Sequence, residues 1–141
     1  MNTPYTPYLI PISVKGIVFE NGKVWLRKNE RSEWELPGGK LEKGEQPTET
    51  VAREMSEELG FAVLVNDLVH AHLYTIKTSS DESKDVLVLS YLCNIQERVG
   101  DFEFEGEAGP AEFASFALSE VMNLVMPEFY KEAIQKAALT L

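Results

Sequence analysis

The sequence has a single cysteine, few basic side chains and no long apolar run, and each shortage excludes a class of protein. Cys93 alone cannot form an intramolecular disulfide, and its apolar surroundings, "VLVLSYLCNI", predict a buried, unreactive thiol. No apolar stretch approaches the roughly 20 residues of a membrane-spanning helix. The N-terminus also lacks the basic segment that opens a signal peptide. We therefore expect a cytoplasmic protein with no membrane partner.

The scarcity of basic residues also limits the partners. The chain has 13 Lys and Arg against 23 Asp and Glu, a formal net charge of −10. A protein that binds a nucleic-acid polymer or an anionic membrane without specificity needs a basic surface, so neither is expected. A small phosphorylated substrate remains compatible, because divalent cations can bridge two anionic groups.

The 141 residues, 44% of them hydrophobic, are enough for one domain with a real core, and we predict a single domain over residues 1–141. Periodicity and turn signals predict strands around helices without regular βαβ alternation, which indicates an α+β fold with a mixed sheet. The predicted strands cover residues 9–19, 23–28, 61–77 and 86–96, and the predicted helices cover Pro47–Leu59, Ser119–Val125 and a segment from Pro127 onward.

Local signals support several of these elements. Asn21-Gly22 is a strong hairpin signal between the first two strands. Pro11 and Gly16 suggest that the first strand lies at a sheet edge or carries a bulge. Pro47 suits the first position of a helix, and Gly60 suits the position just after its last residue.

Residues 53–60, "REMSEELG", place like charges together in the predicted helix. Glu54 precedes Glu57 by three positions and Glu58 by four, and each such pair costs about 0.2–0.5 kcal/mol. On a helical wheel the apolar residues occupy one arc, and the three glutamates with Arg53 occupy the opposite arc. Taken alone, this pattern is also typical of an ordinary solvated helix face.

The longer stretch "WELPGGKLEKGEQPTETVAREMSEELGF" provides the missing context. Gly39 is followed after five residues by Glu45, and after seven more by "REMSEELGF", in which Met55 and Phe61 fill two bulky apolar positions. The pattern resembles the Nudix hydrolase signature at every fixed position. Because so many glycine and polar positions are specified, a chance match is very improbable.

The resemblance implies a Nudix-type α/β/α sandwich and a metal site. By similarity, Glu54, Glu57 and Glu58 are the expected metal ligands, and Gly39 contributes its carbonyl. The expected ion is Mg²⁺, with Mn²⁺ as the alternative. Bound metal would relieve the repulsion among the three glutamates, since Mg²⁺ takes oxygen ligands.

The resemblance also assigns catalytic and supporting residues. Arg53, Glu54 and Glu57 are the expected catalytic residues, and either glutamate could orient or deprotonate the attacking water. A buried salt bridge between Arg53 and Glu45 is expected to hold the preceding loop against the helix.

The implied reaction is metal-dependent hydrolysis of a pyrophosphate linkage in a nucleoside diphosphate derivative. No substrate-specific subfamily signature is visible, so a (d)NTP, cleaved to NMP and pyrophosphate, is the default substrate. ADP-ribose, nucleotide sugars and dinucleotides are the alternatives. A second class is a nucleotide-binding Nudix module without catalysis, which the retention of every motif glutamate disfavours. A homodimer is common in the family, although no residue here demands one.

Residues outside the motif give weaker signals. Arg27 and Lys28 end the second strand and could meet substrate phosphates, with a solubilising surface role as the alternative. His70 and His72 share a strand face with Tyr74 and could line a pocket, whereas Trp34 favours packing over base stacking. A further glutamate could come from the acidic segment at Glu103, Glu105, Glu107 or Glu112, with Glu105 and Glu107 preferred.

Overall fold

A computed structural model describes residues 3–78, 80, 82–100, 105–106, 109–110 and 112–141. The strands are β1 (Ile12–Glu20), β2 (Lys23–Lys28), β3 (Trp34–Glu35), β4 (Gly38–Lys40), β5 (Phe61–Lys77), β6 (Ser83–Arg98), β7 (Glu105–Gly106), β8 (Gly109–Pro110) and β9 (Glu112–Ala117). The helices are α1 (Pro47–Leu59), α2 (Leu118–Val121) and α3 (Glu128–Ala138). In this part of the chain no helix is long and apolar enough to cross a membrane.

Seven strands form one mixed sheet in the order β3-β2-β1-β6-β5, with β4 paired to β1 and β9 paired to β2. β1 and β6 are parallel, and the other pairs are antiparallel. The predicted hairpin between β1 and β2 is confirmed, because Asn21 and Gly22 both adopt positive φ, at 52° and 77°, as a type I′ turn requires.

Of the two alternatives expected for the first strand, an edge position or a bulge, the edge position is wrong. β1 is the most central strand, since it pairs with β2, β4 and β6. Pro11 lies just before the strand and uses only its carbonyl, which accepts a hydrogen bond from the N–H of Leu87 at 3.1 Å. Gly16 serves close packing, because a Cβ there would lie 2.6 Å from Sδ of Met55 on α1. Pro11 therefore lies just before a buried strand, and Gly16 lies where that strand packs against α1.

The helix α1 has the predicted bounds, and its ends follow the predicted signals. Pro47 is its first residue, and the Glu49 carboxylate accepts a hydrogen bond from the backbone N–H of Gln46 at 3.0 Å. At the other end Gly60 has a φ of 73°, and its N–H donates to the carbonyl of Ser56 at 3.0 Å.

Two hydrophobic clusters lie on opposite faces of the sheet and make the fold an α+β sandwich of the predicted type. On one face Val51, Met55 and Leu59 of α1 are fully buried against β1 and β5. On the other face the apolar stripe of α3 covers β1, β2 and β6. The predicted stripe of α3 is confirmed, because its four members, Phe129, Ala133, Ile134 and Ala137, are all buried.

Some elements differ from prediction. β6 begins at Ser83 and ends at Arg98, longer at both ends than predicted, because its whole length pairs with β5. The helix α2 ends at Val121, four residues early, and the carbonyl of the next residue, Met122, accepts a hydrogen bond from Lys131 at 3.0 Å. The sequence analysis did not assign β9, which is held by antiparallel pairing with β2.

Candidate active site

The carboxylate of Glu54 lies directly against the backbone of β4. A Cβ at position 39 would overlap the Oε1 atom of Glu54, so only glycine leaves space for this side chain. β4 is itself held by pairing with β1, where Gly39 lies opposite Val14. Burial raises the pKa of Glu54, and the like charge of Glu57 adds to the rise against the opposing effect of Arg53. Glu54 is thus a partly desolvated carboxylate at the junction of α1 and β4.

Glu58 is buried, although the helical wheel places it on the polar arc with Arg53, Glu54 and Glu57. Only 3% of the residue is exposed, and Oε2 accepts a hydrogen bond from the backbone N–H of Gly38 at 2.9 Å. Burial raises the pKa of Glu58 to about 7, with Glu54 adding to the rise and Lys15 opposing it. The wheel places Glu58 at the border of the apolar arc, and β4 covers that border in the folded chain.

Arg53 donates hydrogen bonds to three carboxylates of the motif. Its guanidinium donates to both oxygens of Glu45, at 3.0 and 3.1 Å, and to Glu57 at 3.1 Å and Glu54 at 3.3 Å. The hydrogen bonds from Arg53 lower the pKa of Glu45, and the hydroxyl of Thr50 also donates to Glu45 at 3.0 Å.

The predicted pair between Arg53 and Glu45 is therefore present, but it is not buried. The side chains of Arg53 and Glu45 are 31% and 24% exposed. The pair joins the loop before α1 to the solvent side of the helix, where a bidentate arginine still fixes geometry.

The side chains of the motif glutamates offer only oxygen donors. Beyond the effect of burial, the charge of Glu57 raises the pKa of Glu54, and the charge of Glu54 raises the pKa of Glu58, so the three carboxylates act on one another. Among the described residues no three His, Cys, Asp or Glu side chains form a ready-made metal cage, and Glu54 and Glu57 are both engaged by Arg53. Oxygen donors that repel one another suit a hard divalent cation such as Mg²⁺, so the chemistry of the set fits a metal.

A second polar cluster, which sequence reasoning missed, adjoins the motif. Lys15 on β1 is buried and lies 3.8 Å from Oε1 of Glu35, which also accepts a hydrogen bond from Arg27 at 3.0 Å. Burial alone would lower the pKa of Lys15, but Tyr130, Glu35 and Glu58 raise it. The signal in the sequence was a lysine inside the apolar strand "ISVKGIVF", where an unpaired charge would be costly.

The two candidate phosphate-binding residues are occupied by protein contacts. Arg27 is held by Glu35, and Nζ of Lys28 lies 5.8 Å from the ring centroid of Trp34. Trp34 itself packs edge-on against Phe116 at 4.8 Å, which confirms its predicted packing role. Substrate binding by Arg27 and Lys28 stays a prediction.

The strand face that carries both histidines contacts α3. His72 stacks on Phe129 at 4.4 Å, and Tyr74 lies 4.8 Å from the same ring. His72 and Tyr74 also line an open pocket of about 540 Å³, whereas His70 is not among its lining residues and lies 3.5 Å from Glu132. Cys93 is buried, and burial raises its pKa to about 12, so the predicted inert thiol is confirmed.

The structure describes only some of the candidate glutamates of the acidic segment. Glu103 and Glu107 lie outside the described residues, and Glu105 is described only by its backbone pairing with Pro110. Glu112 is exposed and lies opposite Lys28 in the pairing of β2 with β9.

The fold and this constellation agree with comparison to known proteins. The profile of the NUDIX domain family matches residues 10–137, which is most of the chain. The chain belongs to the Nudix hydrolase family. Members of this family generally use divalent metal ions.

Relatives of this Nudix domain have several names. A MutT-like protein of Streptomyces ambofaciens is 40% identical over 74 residues, covering 51% of this chain and 48% of the relative. An ADP-ribose pyrophosphatase of Bacillus subtilis is 35% identical over 86 residues, covering 57% of this chain and 46% of the relative. An 8-oxo-dGTP diphosphatase of Buchnera aphidicola is 36% identical over 56 residues, covering 36% of this chain and 43% of the relative. The Nudix chain thus spans about half the length of these curated relatives.

Solved structures support the fold. A NUDIX hydrolase from Nitrosomonas europaea superposes with a TM-score of 0.76 at 18% identity, covering 94% of this chain and 90% of that one. The MutT protein of Methanosarcina mazei superposes with a TM-score of 0.70 at 21% identity, covering 93% of this chain and 94% of that one. At these identities the likeness shows the Nudix fold alone.

Proposed function

We propose that this Nudix domain is a metal-dependent hydrolase that cleaves a pyrophosphate linkage in a nucleoside diphosphate derivative. The observation that carries the proposal is the arrangement at the junction of α1 and β4. There Glu54 lies on Gly39, Glu58 accepts from Gly38, and Arg53 gathers Glu45 and Glu57. Each predicted motif residue thus contacts another motif residue or its immediate neighbour.

In this proposal Glu54, Glu57 and Glu58, with the carbonyl of Gly39, hold Mg²⁺ or, as the alternative, Mn²⁺. A bound divalent ion supplies charge stabilisation for phosphoryl oxygens and lowers the pKa of a coordinated water. Hydrolysis adds a water oxygen to one phosphorus and breaks its bond to the bridging oxygen. Glu54 or Glu57 accepts the proton of that water, and Arg53 orients both carboxylates from the side of the loop.

The preferred substrate is a (d)NTP, cleaved to NMP and pyrophosphate. ADP-ribose, nucleotide sugars and dinucleotides are the alternatives, and the names of two relatives, an ADP-ribose pyrophosphatase and an 8-oxo-dGTP diphosphatase, support testing both classes. We further propose a single domain over residues 1–141, a cytoplasmic location and the absence of a nucleic-acid or membrane partner, with a homodimer as a family-typical assembly.

The test is product analysis by anion-exchange chromatography over a panel of nucleotides, with Mg²⁺, with Mn²⁺ and with EDTA. We expect metal-dependent release of a nucleoside monophosphate from at least one compound. Glu57→Gln and Glu58→Gln should each reduce turnover by about 10²-fold or more, since each removes a charge that stabilises the transition state. Glu97→Gln, an exposed change of equal charge on β6, is the matched control.

Two outcomes would contradict this assignment. Turnover that survives both substitutions at the level of Glu97→Gln would remove the metal roles of Glu57 and Glu58. Tight nucleotide binding with no turnover across the panel would favour the binding-module class instead.

A further inference from the structure

A concentration of positive charge next to the motif lies in a small pocket on the face of the sheet opposite α1. This Lys15 pocket has a volume of about 160 Å³, and its charged lining residues are Lys15, Arg31, Lys40, Lys84, Glu35 and Asp85. Four of the 13 cationic side chains of an acidic protein therefore meet at one place, against two carboxylates. A cationic cleft in an acidic protein focuses the field on an anion.

The carboxylates in and around this pocket engage only part of its positive charge. Arg31 is paired with Glu30 at 2.9 Å and with Glu33 at 3.1 Å. Glu35 is shared between two cations, because it lies 3.8 Å from Lys15 and accepts a hydrogen bond from Arg27 at 3.0 Å. The carboxylate of Asp85 accepts a hydrogen bond from Thr75. Among the described residues no salt bridge joins Lys40 or Lys84 to a carboxylate. Within the described part of the chain, these two ammonium groups are the pocket cations that no ion pair engages, so they are the candidates for contact with an anionic ligand.

The pocket is connected to the motif through three consecutive residues of β4. Gly38 donates its N–H to Glu58, Gly39 supports Glu54, and Lys40 lines the pocket. Lys15 is paired with Gly38 in the ladder between β1 and β4. Gly38 therefore contacts both Glu58 of the motif and Lys15 of the pocket.

The volume of the pocket indicates what size of ligand group it can hold. Pockets that enclose a whole drug-sized ligand measure about 300–1,000 Å³. At about 160 Å³ the Lys15 pocket suits a single compact group better than a complete nucleoside. Lysine ammonium groups are compact point charges that bind phosphate oxygens.

We propose that the Lys15 pocket binds a further phosphate group of the substrate, so that the enzyme prefers a diphosphate bearing that extra phosphate over the same compound without it. This inference rests on the proposed function and adds the determinant of specificity. Lys40 and Lys84 contact the extra phosphate, and the buried Lys15 holds the positive charge of the pocket floor beneath the ring of Tyr130, 6.0 Å from its centroid.

The kinetic test uses matched pairs of compounds that differ by one phosphate: a nucleoside triphosphate against its diphosphate, and NADPH against NADH. We expect kcat/KM to favour the phosphorylated member of at least one pair by about tenfold or more, the effect of one charge-assisted contact. The double variant Lys40→Gln/Lys84→Gln should bring this ratio to within about twofold of one.

The matched control is Lys23→Gln/Lys77→Gln. It removes the same charge from two exposed lysines that do not line the pocket, and Lys77 lies on the opposite face of β5 from Tyr74. The control should retain the wild-type ratio. Ratios near one in both pairs, or a ratio that persists in Lys40→Gln/Lys84→Gln, would overturn the inference while leaving the hydrolase proposal intact.

A binding measurement that needs no turnover separates the two proposals. Ribose 5-phosphate and ribose are titrated into metal-free protein and followed by ¹H–¹⁵N NMR. We expect shifts of the amides around Lys15, Lys40 and Lys84 with ribose 5-phosphate alone, and their loss in the double variant. If no diphosphate is hydrolysed, these shifts still support the pocket, whereas their absence overturns it.

Discussion

Glu58 is enclosed by the backbone of β4 and shares its surroundings with the buried Lys15. Its pKa of about 7 shows that the folded protein disfavours the ionised form. Because the folded pKa lies above the usual carboxyl value, ionisation destabilises the metal-free protein. The penalty is absent at acid pH, grows as the pH rises from about 4.5 to about 7, and is complete above that range.

We therefore expect Glu58→Gln to raise the free energy of unfolding of the metal-free protein by about 1–3 kcal/mol at pH 8. The glutamine carbonyl can still accept the hydrogen bond of Gly38. Glu58→Ala should instead lower stability, because it leaves that N–H without an acceptor, at a cost of about 1–3 kcal/mol. Urea denaturation in EDTA measures both, and the gain of Glu58→Gln should shrink at pH 5. A loss of stability in Glu58→Gln at pH 8 would show that the negative charge supports the fold.

Gly39 has a role that only its missing side chain explains. In Gly39→Ala the new Cβ would overlap the carboxylate of Glu54, so Glu54 must move away from β4. Since small displacements at a catalytic site are costly, we expect kcat to fall by about 10–100-fold with little change in KM. Gly100→Ala is the matched control, because a Cβ there meets no atom of the described residues within 4 Å. Equal activity of the two variants would contradict the placement of Glu54.

At the scale of elements, α1 and the loop before it act as one unit. Arg53 makes a bidentate contact with Glu45, and Thr50 donates to the same carboxylate. Exposed ion pairs contribute little to stability on average, but a bidentate pair fixes geometry. The contact therefore matters more for the position of the glutamates on α1 than for the total stability of the domain.

A double-mutant cycle tests this coupling. Arg53→Lys and Glu45→Gln each break the bidentate contact, so each should reduce kcat strongly while changing unfolding free energy by only about 1 kcal/mol. The double variant should be little worse than either single variant, with a coupling energy of about 0.5–3 kcal/mol in the activation free energy. Additive effects would show that Arg53 and Glu45 act independently.

At the scale of the whole molecule, the net charge of −10 and the clustered carboxylates oppose folding in the absence of cations. We expect about 5 mM Mg²⁺ to raise Tm by several degrees over EDTA with KCl at equal ionic strength, because an ion bound only by the folded state stabilises it. Differential scanning fluorimetry measures the shift. Glu54→Gln/Glu57→Gln should abolish it, and an equal shift in that variant would mean that Mg²⁺ acts only on the overall charge.

Much of the fold could be predicted wherever a local signal decides the structure. The bounds of α1 follow from Pro47 and Gly60, and the first hairpin follows from Asn21-Gly22, because caps and turns depend on neighbouring residues. β9 was missed because its pairing with β2 joins positions about 90 residues apart, which no local pattern records.

The sequence by itself determined the family, the carboxylate-bearing helix and the residues of the candidate metal site, because the Nudix signature is a continuous stretch from Gly39 to Phe61. Only the tertiary structure decided that Glu58 is buried and that Lys15 lies beside the motif. Both depend on β4 lying against β1 and α1 at once, and the depth of a carboxylate beneath another strand is a property of packing that helical periodicity does not contain.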